Sequence, residues 1–119
     1  MSQLIKISKN NQLSTLECKT LEVLHRTEML ELILLCDADG EMRVYLNKCP
    51  HTGVNLNWQP NQCFDHAKEY VICSLHGALF QPEDGLCVYG PCLGQSLTKL
   101  PCIVNDKGVF IDSQNIENL

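Results

Sequence analysis

No stretch of this 119-residue sequence has the length or apolarity of a membrane span. Its longest apolar run, MLELILLC at 29–36, is interrupted by Glu31 and has the length of a buried strand. The opening MSQLIKISKNNQ has no apolar segment of the kind that directs export. The expectation is a cytoplasmic protein with no membrane partner. Basic charge is also scarce: nine Lys and Arg stand against fourteen Asp and Glu, for a formal net charge of −5. That balance argues against a nucleic-acid partner, which needs a basic face. Repeats, low-complexity tracts and linker-like composition are missing too, so residues 1–119 read as a single domain. Composition is otherwise that of an ordinary globular chain, 45% apolar and 19% charged.

Cysteine is unusually frequent for a chain of this length, with eight copies. In an exported chain that number would suggest a disulfide framework. In a reducing cytosol, clustered cysteines more often serve metal or redox chemistry. Cys18, Cys36 and Cys102 sit among apolar residues and are expected in the core as small hydrophobes. Cys49 and Cys73 differ, because each has a histidine close by.

Strand signals dominate. EMRVYLN at 41–47 alternates, with Met42, Val44 and Leu46 on one face and Arg43 and Tyr45 on the other. LIKIS at 4–8 turns Ile5 and Ile7 inward, and YVICS at 70–74 and GVFID at 108–112 are short β-rich runs. LTKLPCIV at 97–104 contains Pro101 and reads as an edge strand or one with a bulge. DADG at 37–40, PEDG at 82–85 and NDKG at 105–108 carry turn chemistry between these runs. The pattern predicts an all-β sandwich or small barrel. Segment 14–25 fits two descriptions equally: Ser14 and Glu17 offer a capping box for a helix, and the same leucines alternate acceptably as a strand.

CPHTG at 49–53 pairs with CSLHG at 73–77. The full pattern is Cys49-x-His51, then 21 intervening residues, then Cys73-x-x-His76. Each half follows a predicted strand and ends in a glycine, so each is a tight loop at a strand end. A structural zinc site also draws on two Cys and two His, but it groups the cysteines in one knuckle and the histidines in another. Here each loop gives one of each. That arrangement suits a dinuclear centre, with two thiolates on one iron and two imidazoles on the other.

With these loops the sequence, over roughly residues 41–112, resembles the Rieske iron–sulfur family. GLCVYGPC at 85–92 resembles the hairpin and covering loop (about 88–93) of that family, with Gly90 and Pro91 at the matching positions. The resemblance implies an all-β, Rieske-like fold of stacked antiparallel sheets, the cluster held at one tip by loops at about 49–54 and 73–78. It implies a [2Fe–2S] cofactor with Cys49, His51, Cys73 and His76 as ligands, and it tilts 14–25 towards strand. It also implies one-electron transfer with the histidine edges near solvent, so that the potential falls as pH rises past the histidine pKa.

Departures from the family pattern sharpen the expectation. The respiratory members carry an extra, disulfide-forming cysteine in each loop, and Val54 and Leu75 occupy those positions here. Their hydroxyl after the second His-Gly is replaced by Ala78. Fewer hydrogen bonds to the cluster sulfurs predict a potential low in the Rieske range, roughly −150 mV to around zero. The chain thus resembles soluble Rieske-type ferredoxins, which pass electrons from a flavin-containing reductase to an oxygenase or other redox enzyme and are not enzymes by themselves. A small subunit of a larger reductase, similar to that of assimilatory nitrite reductase, and a zinc-binding structural module are the other two readings. The longer spacer NQCFDHAKEY at 61–70 is expected to be an exposed insertion, with Cys63 and His66 incidental, and His25 to be an ordinary histidine. Trp58 and Phe80 are expected to pack under the loops. A Cys87–Cys92 bridge across the covering loop is disfavoured in a reducing compartment.

Overall fold

A computed structural model describes residues 3–9, 13–48, 50, 56, 61–73 and 77–117. Among the described residues, ten strands and one short helix follow in order: β1 (Leu4–Ser8), β2 (Cys18–His25), β3 (Glu28–Cys36), β4 (Met42–Leu46), β5 (Val71–Ile72), β6 (Leu79–Phe80), β7 (Cys87–Tyr89), β8 (Lys99–Leu100), β9 (Cys102–Asn105), β10 (Gly108–Asp112) and α1 (Ser113–Glu117). They form three antiparallel sheets, ordered β1-β10-β9, β2-β3-β4-β8 and β5-β6-β7. The all-β expectation holds. Among the described residues no helix is long and apolar enough to cross a membrane.

The four-stranded sheet is a wall shared by two cores. Because side chains alternate along a strand, Leu32, Leu34 and Val44 pack with Val109 and Ile111 of the β1-β10-β9 sheet. Ile33, Leu35 and Tyr45 face the other way, onto Val71, Cys73 and Phe80. Both faces of β3 are covered from Leu32 to Cys36, which explains the continuous apolar run there. The alternation read in 41–47 is the observed one, and Ile5 and Ile7 do turn into the first core.

Turns and breaks are decided locally. Segment 14–25 is strand from Cys18 onward. The Ser14–Glu17 pair does form, with the Ser14 N–H donating to Glu17 Oε1 at 2.7 Å, but it closes a turn and starts no helix. Pro101 separates β8 from β9 and marks where the chain leaves the four-stranded sheet for the sheet of β1 and β10. A residue without an N–H fits a place where neither ladder needs a donor.

Asp37 fixes the β3–β4 turn. It is fully buried, its Oδ1 accepts the N–H groups of Asp39 (2.9 Å) and Glu41 (3.0 Å), and its Oδ2 accepts Arg43 Nε at 3.0 Å. Burial pushes the carboxyl pKa up, but the backbone donors and the Arg43 guanidinium outweigh it and hold the pKa below the ordinary 3.8. A depressed carboxylate pKa contributes stability that is present above 3.8 and is lost as pH falls through the lower folded value. Urea midpoints measured from about pH 5 to about pH 2 should therefore drop below about pH 4. Asp37→Asn should lose about 1.5–3 kcal/mol at neutral pH and flatten that acid limb.

Candidate metal centre

Cys73 follows directly on β5 and is fully buried. Its backbone is gripped from both sides. Upstream, the Ile72 N–H donates to Cys63 O at 2.9 Å. Downstream, the Cys73 N–H donates to Ala78 O (2.9 Å) and the Gly77 N–H donates to Cys73 O (2.8 Å), closing a tight turn. Gly77 lies in the left-handed region at φ 69°, where a side chain would be strained. The turn then enters β6, whose Leu79 pairs with Ile72.

A second loop roofs this turn. After β7, Gly90 comes so close to Ala78 that a Cβ built on it would lie 2.8 Å from Ala78 Cα. The Gly94 N–H donates to Cys87 O (3.2 Å) and the Cys87 N–H to Gln95 O (2.8 Å), folding the loop back on β7. Inside it, Cys92 Sγ donates to Cys87 Sγ at 3.0 Å, with both side chains buried as thiols. The bridge considered for this pair is therefore not formed. Phe80 is fully buried beneath, as expected.

The other motif is braced by a residue the sequence reading missed. Asn47 is buried, and its Oδ1 accepts the Leu56 N–H at 2.9 Å while its own N–H donates to Glu31 O at 2.8 Å. Residues 47 and 56 flank the first motif, so this side chain pins the two ends of its loop together. An Asn at the end of an alternating strand was the available signal. Cys49, His51, Val54, Trp58, Leu75 and His76 lie outside the described residues. Of the four expected ligands, the structure places Cys73. A buried thiol in a tight turn, roofed at a contact that only a glycine permits, fits a thiolate ligand shielded from water, and two thiolates with two imidazoles suit an iron–sulfur centre.

The remaining cysteines correct two expectations. Cys18 is not a free core thiol, and Cys63 is not incidental in an exposed insertion: the two are joined in a disulfide, and Cys63 is fully buried. The insertion is a hairpin that extends β5, since Phe64 bridges Val71 and the Asp65 N–H donates to Tyr70 O at 2.8 Å. Cys63 is its buried point, while Asn61, Gln62 and the far end from His66 to Glu69 are exposed. Cys36 is buried and Cys102 half-buried, as expected, and burial pushes both thiols up. His25 faces Glu117 Oε1 at 3.6 Å, at the C-terminal end of β2.

Comparison with known proteins agrees with this geometry. The chain is 36% identical over 61 residues to the oxygenase component of chloroacetanilide N-alkylformylase from Rhizorhabdus wittichii, a match covering 51% of this chain and 16% of that protein. The chain thus spans about a sixth of that curated relative's length. Among solved structures it is similar to a chain in the reduced oxygenase–ferredoxin complex of carbazole 1,9a-dioxygenase, with TM-score 0.67, 25% identity, and coverage of 92% of this chain and 27% of that one. The apo quaternary ammonium Rieske monooxygenase CntA has the same fold, with TM-score 0.71 at 19% identity and coverage of 92% of this chain and 32% of that one. The model of the Rieske [2Fe-2S] domain matches residues 3–105. The chain therefore belongs to the Rieske [2Fe-2S] domain family and binds a [2Fe–2S] cluster.

Proposed function

We propose that this chain is a one-electron carrier in which Cys49, His51, Cys73 and His76 hold the cluster, receiving electrons from a flavin-containing reductase and delivering them to an oxygenase or another redox enzyme. The observation that supports it best is the buried Cys73 turn closed on Ala78 and roofed by Gly90. When bound, the cluster accepts and returns one electron. The chain's own part is to hold it dry on one side and to offer a contact surface on the other. Tyr89 and Leu93 of the covering loop, 65% and 67% exposed, give a protein partner an apolar foothold beside the site.

A mononuclear oxygenase iron needs two His and a carboxylate in one place. The two histidines beyond the motifs lie at opposite ends of β2: His25 ends the strand, and His66 lines a groove beside Cys18 at its start. Those ends are roughly 20 Å apart, so the pair cannot share an iron. A second reading is that this unit is the electron-entry domain of an oxygenase component, and the relatives it matches favour that. Copurification with a catalytic subunit separates the two readings. The carrier reading is tested by the absorption and EPR spectra of the reduced protein and by potentiometric titration. A potential of roughly −150 mV to around zero is expected. A value near about +300 mV would overturn the argument from Ala78, Val54 and Leu75.

A further inference from the structure

We propose that the Cys18–Cys63 disulfide is a thiol-exchange site through which a dithiol reductant loosens the turn carrying Cys73. This coupling to the metal centre rests on Cys73 being a ligand, as proposed above. The bridge joins the first residue of β2 to the insertion hairpin, 45 residues on. β2 is the edge of the four-stranded sheet, and the hairpin belongs to the sheet of β5. The disulfide is therefore a covalent tie between two sheets. Its inner end is one hydrogen bond from the site: Cys63 O accepts the Ile72 N–H, and Ile72 precedes Cys73.

The bridge is open to attack from one side. An open groove of about 730 Å³ runs along it, lined among others by Cys18, Cys63, Lys19 and Lys68. Cys18 is half-buried and Cys63 fully buried, so an incoming thiolate reaches the Cys18 sulfur. The two ammonium groups favour an attacking thiolate. Glu17 and Asp65 also line the groove as carboxylates, Glu17 accepting the Ser14 N–H and Asp65 those of Glu69 and Tyr70, so the ammonium groups act locally in a groove without net positive charge. The thiolate of the reductant attacks Cys18 Sγ, the S–S bond breaks, and Cys63 Sγ leaves with the electron pair and takes up a proton. The reductant's second thiolate then attacks its own sulfur in the mixed disulfide and releases Cys18. The protein gains two electrons, and the reductant becomes a disulfide.

With the bridge open, the hairpin keeps its hold on β2 through Asn61. Its Oδ1 accepts the Thr20 N–H at 2.9 Å, and its N–H donates to Thr20 Oγ1 at 3.2 Å. Both bonds are exposed and weak beside a covalent tie.

The test uses the full chain as purified, anaerobic and without denaturant. Cysteines are alkylated and mapped before and after dithiothreitol, and amide hydrogen exchange is followed in parallel. Cys18 and Cys63 should be unlabelled before reduction and labelled after it. The Ile72 amide should then exchange about tenfold faster while the amides of β3 do not change. Cys18→Ser/Cys63→Ser should show the fast exchange without reductant; if that variant does not fold, the reduced native chain gives the same readout. Labelling of both residues before any reductant, labelling only after unfolding, or labelling with Ile72 exchange unchanged would each overturn the proposal. A chain that holds no cluster defeats the ligand assignment but leaves labelling and exchange readable.

Discussion

Replacing Cys73 by alanine should give a folded, colourless chain. The side chain is completely buried with Val71, Ala78 and Phe80, so removing its sulfur leaves a void of about one methyl group, worth about 1 kcal/mol. The turn itself does not depend on the sulfur, because it is closed by backbone hydrogen bonds from Cys73 to Ala78 and from Gly77 to Cys73. With Cys73 as a ligand, as proposed, the variant loses a thiolate and with it the cluster. Far-UV circular dichroism should stay native while the visible absorbance and the EPR signal of the reduced protein vanish. Cys36→Ala is the matched control, since Cys36 is also buried but lies in β3 with its thiol held neutral by burial. It should cost a similar amount of stability and keep the colour. Equal spectra for the two variants would remove Cys73 from the ligand set. His51→Ala and His76→Ala should behave as Cys73→Ala does.

Gly90→Val should be the most damaging change that touches no ligand. A Cβ there lies 2.8 Å from Ala78 Cα and 3.0 Å from Ala78 Cβ, and φ is 107°. The contact is with backbone, so it cannot be relieved by rotating a side chain. The expected cost is about 3 kcal/mol or more, from an unfavourable φ together with overpacking. The covering loop must lift from the Cys73 turn, so cluster loss to a chelator should quicken along with the drop in urea midpoint. Gly94→Ala isolates the contact, because Gly94 also has positive φ, 88°, but an added Cβ meets nothing within 4 Å. It should cost about 1–2 kcal/mol and leave cluster retention near normal. If Gly90→Val and Gly94→Ala weaken the cluster alike, the roof over Ala78 does not protect it.

The strands of the central sheet were legible because their side chains have one of two destinations. Alternation in 41–47 and the run at 29–36, buried from Leu32 to Cys36, reflect a wall with a core on each side. Segment 14–25 was not legible, because the Ser14–Glu17 interaction is real and local while the strand that follows is fixed by pairing with β3. The spacing of the two motifs is the basis for the proposed ligand types, since few chemistries need one Cys and one His in each of two loops. The Cys18–Cys63 pairing was invisible for a physical reason: connectivity depends on which segments meet in space, and these are 45 residues apart. Asn47 went unnoticed because one polar residue at a strand end has many uses, and only the fold shows Leu56 beside it.

The pairing of β1 with β10 has a further consequence. Leu4 lies opposite Asp112, the Gln3 N–H donates to Ser113 Oγ at 2.9 Å, and the Ser113 N–H donates to Gln3 O at 2.8 Å. Residues 3 and 113 are thus direct neighbours, on the sheet that packs against the core without Cys73. Such a module works as a cassette: it can be spliced into a longer polypeptide through two neighbouring junctions without stretching any strand. A circular permutant that joins residues 117 and 3 by a linker, keeping α1 and its buried Ile116, and opens the chain elsewhere should keep the same three sheets.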